Sequence, residues 1–157
     1  MTRQDKRLRH AMLGLALVGL VDALYLSWLK LADREAACAG IGDCDVVNSS
    51  PYAEFMGIPV AVLGAGVYLL ILALLWAEPR LARPRRTQAL YAVFGLTFWG
   101  VAYSAYLTYI EVAVLHAICP FCVVSAVVLL FLWVLAIIRV LTAPWDEPEA
   151  IPPSGGG

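Results

Sequence analysis

The four cysteines of this chain form two closely spaced pairs. Cys38 and Cys44 lie in a stretch of small residues, and Cys119 and Cys122 form the sequence Cys-Pro-Phe-Cys. Two thiols so close along a chain can form a disulfide and pass it on by exchange with a third thiol. The spacing therefore predicts thiol–disulfide chemistry, with all four cysteines as the reactive residues.

The second pair opens an apolar run, which places Cys119 at the N-terminus of a predicted helix. Unpaired N–H groups and the positive end of the helix dipole stabilise a thiolate there. Pro120 suits the first helical turn, because the N–H group that it lacks has no partner at that position. We expect Cys119 to be reachable by another thiol, and Cys122, one turn deeper, to face a more apolar setting.

Three other interpretations of the cysteines stay open. Both pairs could be static structural disulfides. The four thiols could hold one zinc ion, although the spacing of Cys38 and Cys44 fits structural zinc poorly. They could also be inert buried thiols, although two pairs on one oxidising face would tend to oxidise. A redox relay fits the pattern best, and we predict no metal site.

Four apolar runs must position these pairs. The chain has 157 residues, 62% of them hydrophobic, whereas a soluble domain contains about 45–50% apolar residues. Each run can cross the roughly 30 Å hydrocarbon core of a bilayer as a helix. The first run is too long for the apolar part of a cleaved signal peptide. The sequence predicts an all-α, integral membrane four-helix bundle, with helices at about residues 11–30, 58–77, 90–111 and 118–139.

The distribution of Lys and Arg predicts the orientation. Four precede the first helix, four lie between the second and third helices, and Arg139 ends the fourth, whereas the opposite side has only Lys30 and Arg34. Cytoplasmic loops are rich in Lys and Arg, so both termini are predicted to be cytoplasmic and both cysteine pairs to face outward. The predicted segments are a cytoplasmic N-terminus, a transmembrane domain that contains a redox loop, and a disordered cytoplasmic tail (residues 1–10, 11–141, 31–57 and 142–157).

An internal repeat relates the two halves of the chain. An offset of 81 residues aligns Tyr25 to Lys30 with Tyr106 to Glu111, and Cys38 with Cys119. Chance similarity between membrane helices is the alternative to a duplicated helix pair in parallel orientation. Small residues let membrane helices approach closely, so glycines are predicted at the helix contacts (Gly14 and Gly19, their equivalents Gly95 and Gly100, and Gly64 and Gly66).

A relay needs an electron acceptor. The sequence has no fingerprint for a flavin, haem or dinucleotide, so we predict a membrane quinone (menaquinone or ubiquinone) that docks near Cys119 and Cys122. Asp22 lies within the first apolar run, where an ionisable residue is a functional candidate. Proton handling and a packing hydrogen bond both fit Asp22. Glu111, near the outward end, is expected to be solvated. Nothing in the sequence indicates nucleic acid binding.

The motifs around the cysteines resemble those of bacterial vitamin K epoxide reductase homologues, over about residues 10–140. The resemblance implies a four-helix bundle around a quinone site, with a short amphipathic segment, here residues 46–56, that caps its outward face. The motifs that carry it are Cys44-Asp45-Val46-Val47-Asn48-Ser49-Ser50-Pro51, Gly57-Ile58-Pro59 and Cys119-Pro120-Phe121-Cys122.

The resemblance also implies a role for each cysteine. Cys119–Cys122 would be the active-site disulfide, and Cys122 would react with the quinone. Cys44 would attack Cys119, and Cys38 would exchange with the thiols of a partner protein.

Four other positions are assigned to the quinone site by the same resemblance. Ser50, or its neighbour Ser49, matches the family serine near the site, although helix capping or turn formation would also explain these serines. Ala126 stands where animal members have a tyrosine, and Val60 lies near the position of their quinone-lining asparagine. These two departures favour disulfide generation over the reduction of an epoxide.

The sequence as a whole predicts a quinone-dependent thiol–disulfide oxidoreductase of the bacterial inner membrane that passes disulfides to a thioredoxin-like protein. Many bacterial relatives have a fused thioredoxin-like domain, whereas this chain ends in a Pro- and Gly-rich tail, so we expect a separate partner. One alternative is a thiol-driven reductase of a quinone or quinone epoxide. Another is a non-catalytic membrane protein with structural disulfides.

Overall fold

Four long helices make up most of the computed structural model, which describes residues 3–32, 46–47 and 50–143. Each is long and apolar enough to cross a membrane. The chain is therefore a multi-pass, four-helix membrane bundle, which confirms the predicted fold class. The helices are α1 (Arg3–Leu31), α2 (Val60–Ala77), α3 (Arg83–Ile110) and α4 (Pro120–Thr142).

The helices form a ring in which each packs on the helices before and after it. Contacts are extensive between α1 and α2, between α3 and α4, and between α1 and α4, whereas α2 and α3 touch much less. The centre of the bundle is filled by large apolar side chains, among them Met12, Tyr68, Ile71 and Leu132. The weaker α2–α3 contact leaves space between these two helices.

The helix ends differ from the predicted spans. Helix α1 begins at Arg3 and α3 at Arg83, several residues before the apolar runs, so most of the predicted N-terminal segment is helical. Hydropathy marks the part of a helix that lies in hydrocarbon, but a helix with basic residues can continue into the polar interface. The starts of α2 and α4 follow the prolines instead, because Pro59 precedes α2 and Pro120 is the first residue of α4.

The described part of the predicted capping segment leads into a small β-hairpin, a local departure from an all-α fold. A 3-10 turn at Pro51–Ala53 leads into β1 (Glu54–Phe55), which pairs in antiparallel register with β2 (Ile58–Pro59). Two residues with positive φ, Met56 and Gly57, connect the strands, as a two-residue hairpin turn requires. Cys38, Cys44, Ser49 and most of the predicted tail lie outside the described residues.

The glycines predicted at helix contacts fall into two groups. A Cβ atom at Gly19 would overlap the ring of Tyr68, and one at Gly100 would lie 2.9 Å from Leu129 Cδ2. Gly19 and Gly100 are equivalent in the 81-residue repeat, as are Gly14 and Gly95, which have open space around them. The repeat partners therefore share their packing environments. An added Cβ at Gly64 would lie 3.9 Å from Ala23 Cβ of α1, an ordinary contact between helices. For Gly14, Gly95 and Gly66 the predicted contact is wrong, because no neighbouring atom lies within 4 Å of the added Cβ position.

Four charged side chains meet at one end of the bundle, which we call the charged end. They come from α1, the turn after α2, α3 and α4. Arg139 lies 2.9 Å from Asp5 and 2.6 Å from Glu78, and Arg86 lies 2.6 Å from Asp5 and 3.1 Å from Glu78. Arg139 and Glu78 are 2% and 3% exposed. This network ties α1, the turn after α2, α3 and α4 together.

Candidate functional site

The opposite end of the bundle holds Cys119, Cys122 and Glu111, and we call it the thiol end. A cavity of about 580 Å³ begins there and extends between α2 and α3. The hairpin and the turn before it cover part of the cavity through Ser50, Tyr52 and Phe55. Its walls are mainly apolar, with a few polar side chains from each side (Asp22, Ser50, Tyr68, Ser104, Thr108, Glu111, Cys122 and Ser125).

The two cysteines of the Cys-Pro-Phe-Cys sequence differ in their access to this cavity. Cys119 is the residue just before α4, and Cys122 lies in its first turn. Both are free thiols. Cys122 is half-buried and lines the cavity, whereas Cys119 is 1% exposed and packs beside Leu29 and Val47. The expectation that Cys119 is readily reachable is therefore wrong for this conformation, because these apolar neighbours cover its sulfur.

Hydrogen bonds stabilise the thiolate form of Cys119. The thiol of Cys122 donates to the Cys119 sulfur and lowers the pKa of Cys119, and the backbone N–H groups of Cys122 and Phe121 act in the same direction. Burial and the nearby Glu111 carboxylate oppose this effect, but the pKa stays below its ordinary value. The direction agrees with the sequence-based expectation for a cysteine at a helix N-terminus.

Glu111 is buried beside the two cysteines, at 3% exposure, where solvation was expected. Its carboxylate accepts the backbone N–H of Cys119, with an N–O distance of 3.2 Å, and it competes with the Cys119 sulfur for the single proton of the Cys122 thiol. A π-helical turn at Glu111–Leu115 ends α3 and turns the chain at His116, which has a φ of 50°. This turn folds the chain back, so that a residue eight positions before Cys119 contacts it.

A second polar group lies deeper in the cavity wall. The Tyr68 hydroxyl lies 3.0 Å from Ser125 Oγ and 3.2 Å from the Ser125 carbonyl oxygen. Asp22 shares this wall, and its Oδ2 is buried and makes no hydrogen bond within the described part of the chain. Asp22 thus combines a place in the cavity wall with a buried oxygen that no described group satisfies, and its role stays a prediction.

The other predicted quinone-site residues are placed unequally. Ser50 and Val60 line the cavity. The Ser50 hydroxyl donates to the Val47 carbonyl over 2.7 Å, so it also stabilises the turn before the hairpin. Ala126 is not among the cavity-lining residues, and its place in the quinone site stays a prediction. The lining stripe of α4 is Cys122, Ser125 and Leu129, and Ala126 points to one side of it.

Sequence reasoning did not identify Glu111, Tyr68 or Ser125 as site residues. Tyr68 and Ser125 stand in apolar runs where a hydroxyl gives no periodic signal. Glu111 had a weak signal, because it is a carboxylate that follows directly on an apolar run, in the repeat position of Lys30.

The comparison with known protein families agrees with this arrangement. The model of the vitamin K epoxide reductase family matches residues 10–137, which include most of α1, the cavity and most of α4. The chain belongs to the vitamin K epoxide reductase family. It is also similar to the thiol-disulfide oxidoreductase LTO1 of Arabidopsis thaliana, at 33% identity over 112 residues, which cover 68% of this chain and 30% of that protein.

Members of the vitamin K epoxide reductase family use quinones, and the cavity next to Cys122 is the place where this chain could bind one. Within residues 3–32, 46–47 and 50–143, no group of three or more His, Cys, Asp or Glu side chains could hold a metal ion. The two cysteines of the redox loop lie outside these ranges.

Proposed function

We propose that the chain is a quinone-dependent thiol–disulfide oxidoreductase that generates disulfides and passes them to a thioredoxin-like protein. Its family membership and its similarity to a thiol-disulfide oxidoreductase support the coarser assignment of a thiol-based oxidoreductase. Because the match spans only 30% of that relative, the acceptor and the partner are argued here from the chemistry of this chain.

The observation that carries the proposal is the position of the Cys122 thiol on an apolar cavity within the bundle. The cavity volume, about 580 Å³, lies within the roughly 300–1,000 Å³ typical of small-molecule sites. Helices α2 and α3 both line it and are the neighbouring pair with the least mutual contact. A lipid-soluble molecule could therefore reach Cys122 from the bilayer, which is where quinones are dissolved.

The residues present fit a quinone head group. A flat apolar ring matches the walls, and its two carbonyl oxygens need hydrogen-bond partners. The Tyr68–Ser125 pair and the side chain of Asp22 would supply such partners on one wall of the cavity. Ser50 and Val60 also line the cavity. When bound, a quinone accepts two electrons and two protons.

In the proposed relay, Cys119 and Cys122 are the inner pair and Cys38 and Cys44 the outer pair. Cys44 would attack Cys119 of the inner disulfide, and the resulting outer disulfide would pass to the thiols of the partner through Cys38. Because Cys119 is buried beside Val47, this exchange requires that the segment bearing Val47 move away from α4. We place the cysteine pairs on the outer face of a bacterial inner membrane, with the charged end cytoplasmic.

The test is anaerobic reduction of a quinone by a reduced dithiol, with purified protein in lipid. The wild-type chain should consume quinone, and Cys122→Ala should abolish turnover because no disulfide can form in the inner pair. Val127→Ala, on the exposed face of the same helix, is the matched control and should retain turnover. Quinone consumption by Cys122→Ala at the wild-type rate would refute the proposal.

The reaction direction needs its own assay. Incubating the same protein with a dithiol and a quinone epoxide should leave the epoxide intact, if disulfide generation is the function. Consumption of the epoxide at a rate comparable to that of quinone would favour the thiol-driven epoxide reductase instead.

A further inference from the structure

Glu111 has an environment that a structural carboxylate rarely has. It is 3% exposed, yet no ion pair within the described residues involves it. The backbone N–H of Cys119 donates to its carboxylate, and the Cys122 thiol, whose proton it shares with the Cys119 sulfur, is its other polar neighbour. A buried carboxylate without a cation costs stability. These contacts therefore do not explain Glu111 as a residue that only stabilises the fold.

From this geometry we infer that Glu111 is a catalytic residue, the proton acceptor and donor for the Cys122 thiol during opening and closing of the Cys119–Cys122 disulfide. The inference rests on the proposed function, because it assigns a role within that thiol–disulfide reaction. Two observations carry it: the Cys119 backbone N–H holds the carboxylate beside the Cys122 thiol, with an N–O distance of 3.2 Å, and both Glu111 and Cys122 line the cavity where an electron acceptor would bind.

Closing the Cys119–Cys122 disulfide releases protons, and the Glu111 carboxylate can accept the one from Cys122. Closing the disulfide breaks two S–H bonds, forms one S–S bond and releases two electrons and two protons, which the acceptor takes up. Cys119, whose pKa is lowered, can react as a thiolate. Cys122 must lose its proton before its sulfur can bond to Cys119, and Glu111 is the group in contact with that proton. When the disulfide is opened by an attacking thiol, a protonated Glu111 would return the proton to Cys122.

A soluble oxidant provides a test that does not need the quinone. Diamide accepts two electrons and two protons from a dithiol, so stopped-flow measurement of disulfide closure in the reduced protein isolates the role of Glu111. Glu111→Gln keeps an oxygen that can accept the Cys119 N–H but cannot take up a proton. We expect closure to slow on the order of 100-fold, within the usual range for losing general base catalysis. Glu54→Gln, an exposed glutamate in β1, is the matched control and should close at the wild-type rate.

Chemical rescue separates proton transfer from positioning. Glu111→Ala should be slow, and added formate should accelerate it because a small carboxylate can occupy the space left by the side chain. Closure of Glu111→Gln at the wild-type rate would overturn the inference. Should that variant melt below the assay temperature, the rescue decides alone, and a lack of acceleration by formate would overturn the inference.

The same preparations keep the two proposals distinguishable. If wild-type protein closes its disulfide with diamide but never with quinone, the proposed quinone dependence fails while the role of Glu111 stands. If wild-type protein reacts with both oxidants and Glu111→Gln does so equally fast, the role of Glu111 fails alone.

Discussion

The two ends of the bundle bury carboxylates in opposite ways. At the charged end, Asp5 and Glu78 lie between the guanidinium groups of Arg86 and Arg139, with N–O distances of 2.6 to 3.1 Å. At the thiol end, Glu111 is as deeply buried as Glu78 but accepts hydrogen bonds only from an amide and a thiol among the described contacts. At the charged end, cations compensate the buried carboxylates, whereas at the thiol end neutral hydrogen-bond donors surround the buried carboxylate.

This difference separates architecture from reactivity. A compensated network holds its geometry, because moving any helix would leave a buried charge unpaired. A carboxylate held by a thiol can exchange a proton with it without losing a salt bridge. The chain therefore keeps its fixed helix junction at one end and its titratable groups at the other, roughly 25 Å apart along α4.

The largest expected effect comes from breaking the charged end. Arg139→Met removes one guanidinium and leaves Asp5 and Glu78 to share Arg86. Loss of one partner from a buried ion pair costs about 3–5 kcal/mol, so the variant should unfold at a clearly lower temperature in detergent. Its rate of disulfide closure, measured below that temperature, should match the wild-type rate.

Two variants sharpen this prediction. Arg3→Met removes an exposed charge at the same end and should leave the melting temperature nearly unchanged. In Arg139→Met combined with Glu78→Gln, one charge of each sign is removed, and part of the lost stability should return. A melting temperature of Arg139→Met equal to that of wild type would contradict the assigned role of the network.

The charged end also illustrates what the sequence could not predict. Its basic residues were counted for orientation, a rule that depends on number and not on partners. That Arg86 and Arg139 share Asp5 and Glu78 depends on how four helices meet, since Asp5 and Arg139 are 134 residues apart. The four helices themselves could be predicted, because apolar runs of bilayer length allow few other structures.

At the thiol end, the sequence predicted the position of Cys122 but not that of Glu111. A Cys-x-x-Cys sequence before an apolar run fixes the position of Cys122 at the start of α4, next to space within the bundle. The position of Glu111 depends on the π-helical turn and on the positive φ of His116. No residue pattern in that segment predicts either feature. The role of Ala126 stays a prediction, because a family position does not specify which side of α4 lines the cavity.

An intermediate effect is expected at Gly19, where α1 lies against the ring of Tyr68. Gly19→Ala would push the Tyr68 ring away and break its contact with Ser125. Overpacking of this kind costs about 1–3 kcal/mol, and it should also weaken quinone binding, because Tyr68 lines the cavity. Thermal unfolding and the quinone KM measure the two effects.

The repeat supplies the control for this experiment. Gly14→Ala, on the same helix with open space around it, should leave stability unchanged or raise it slightly. In the second half, Gly100→Ala should cost less than Gly19→Ala, because the Leu129 methyl group 2.9 Å away can turn aside. Equal losses for Gly14→Ala and Gly19→Ala would show that the tight contact at Gly19 does not exist.

The smallest effect is a shift in the pH dependence of Cys119. Its pKa is lowered chiefly by the hydrogen bond from the Cys122 thiol, so the thiolate should persist to lower pH than in an ordinary cysteine. Alkylation of Cys119 in reduced protein, followed by mass spectrometry of the modified peptide, should reach half its maximal rate at a correspondingly lower pH. In Cys122→Ala that donor is gone, and the midpoint should move to higher pH.

Replacing Glu111 should shift the alkylation midpoint of Cys119 in the direction opposite to the shift in Cys122→Ala. The charge of its carboxylate raises the pKa of Cys119, so Glu111→Gln should move the alkylation midpoint to lower pH, opposite to Cys122→Ala. The burial of Cys119 slows alkylation and raises its pKa in all three proteins alike, so the differences between their midpoints report the group that each substitution removes. Midpoints that shift in opposite directions would show that the Cys122 thiol and the Glu111 carboxylate act on the pKa of Cys119 with opposite sign. A midpoint that neither substitution moves would mean that the thiol end, like the charged end, has a fixed charge that its neighbours do not tune.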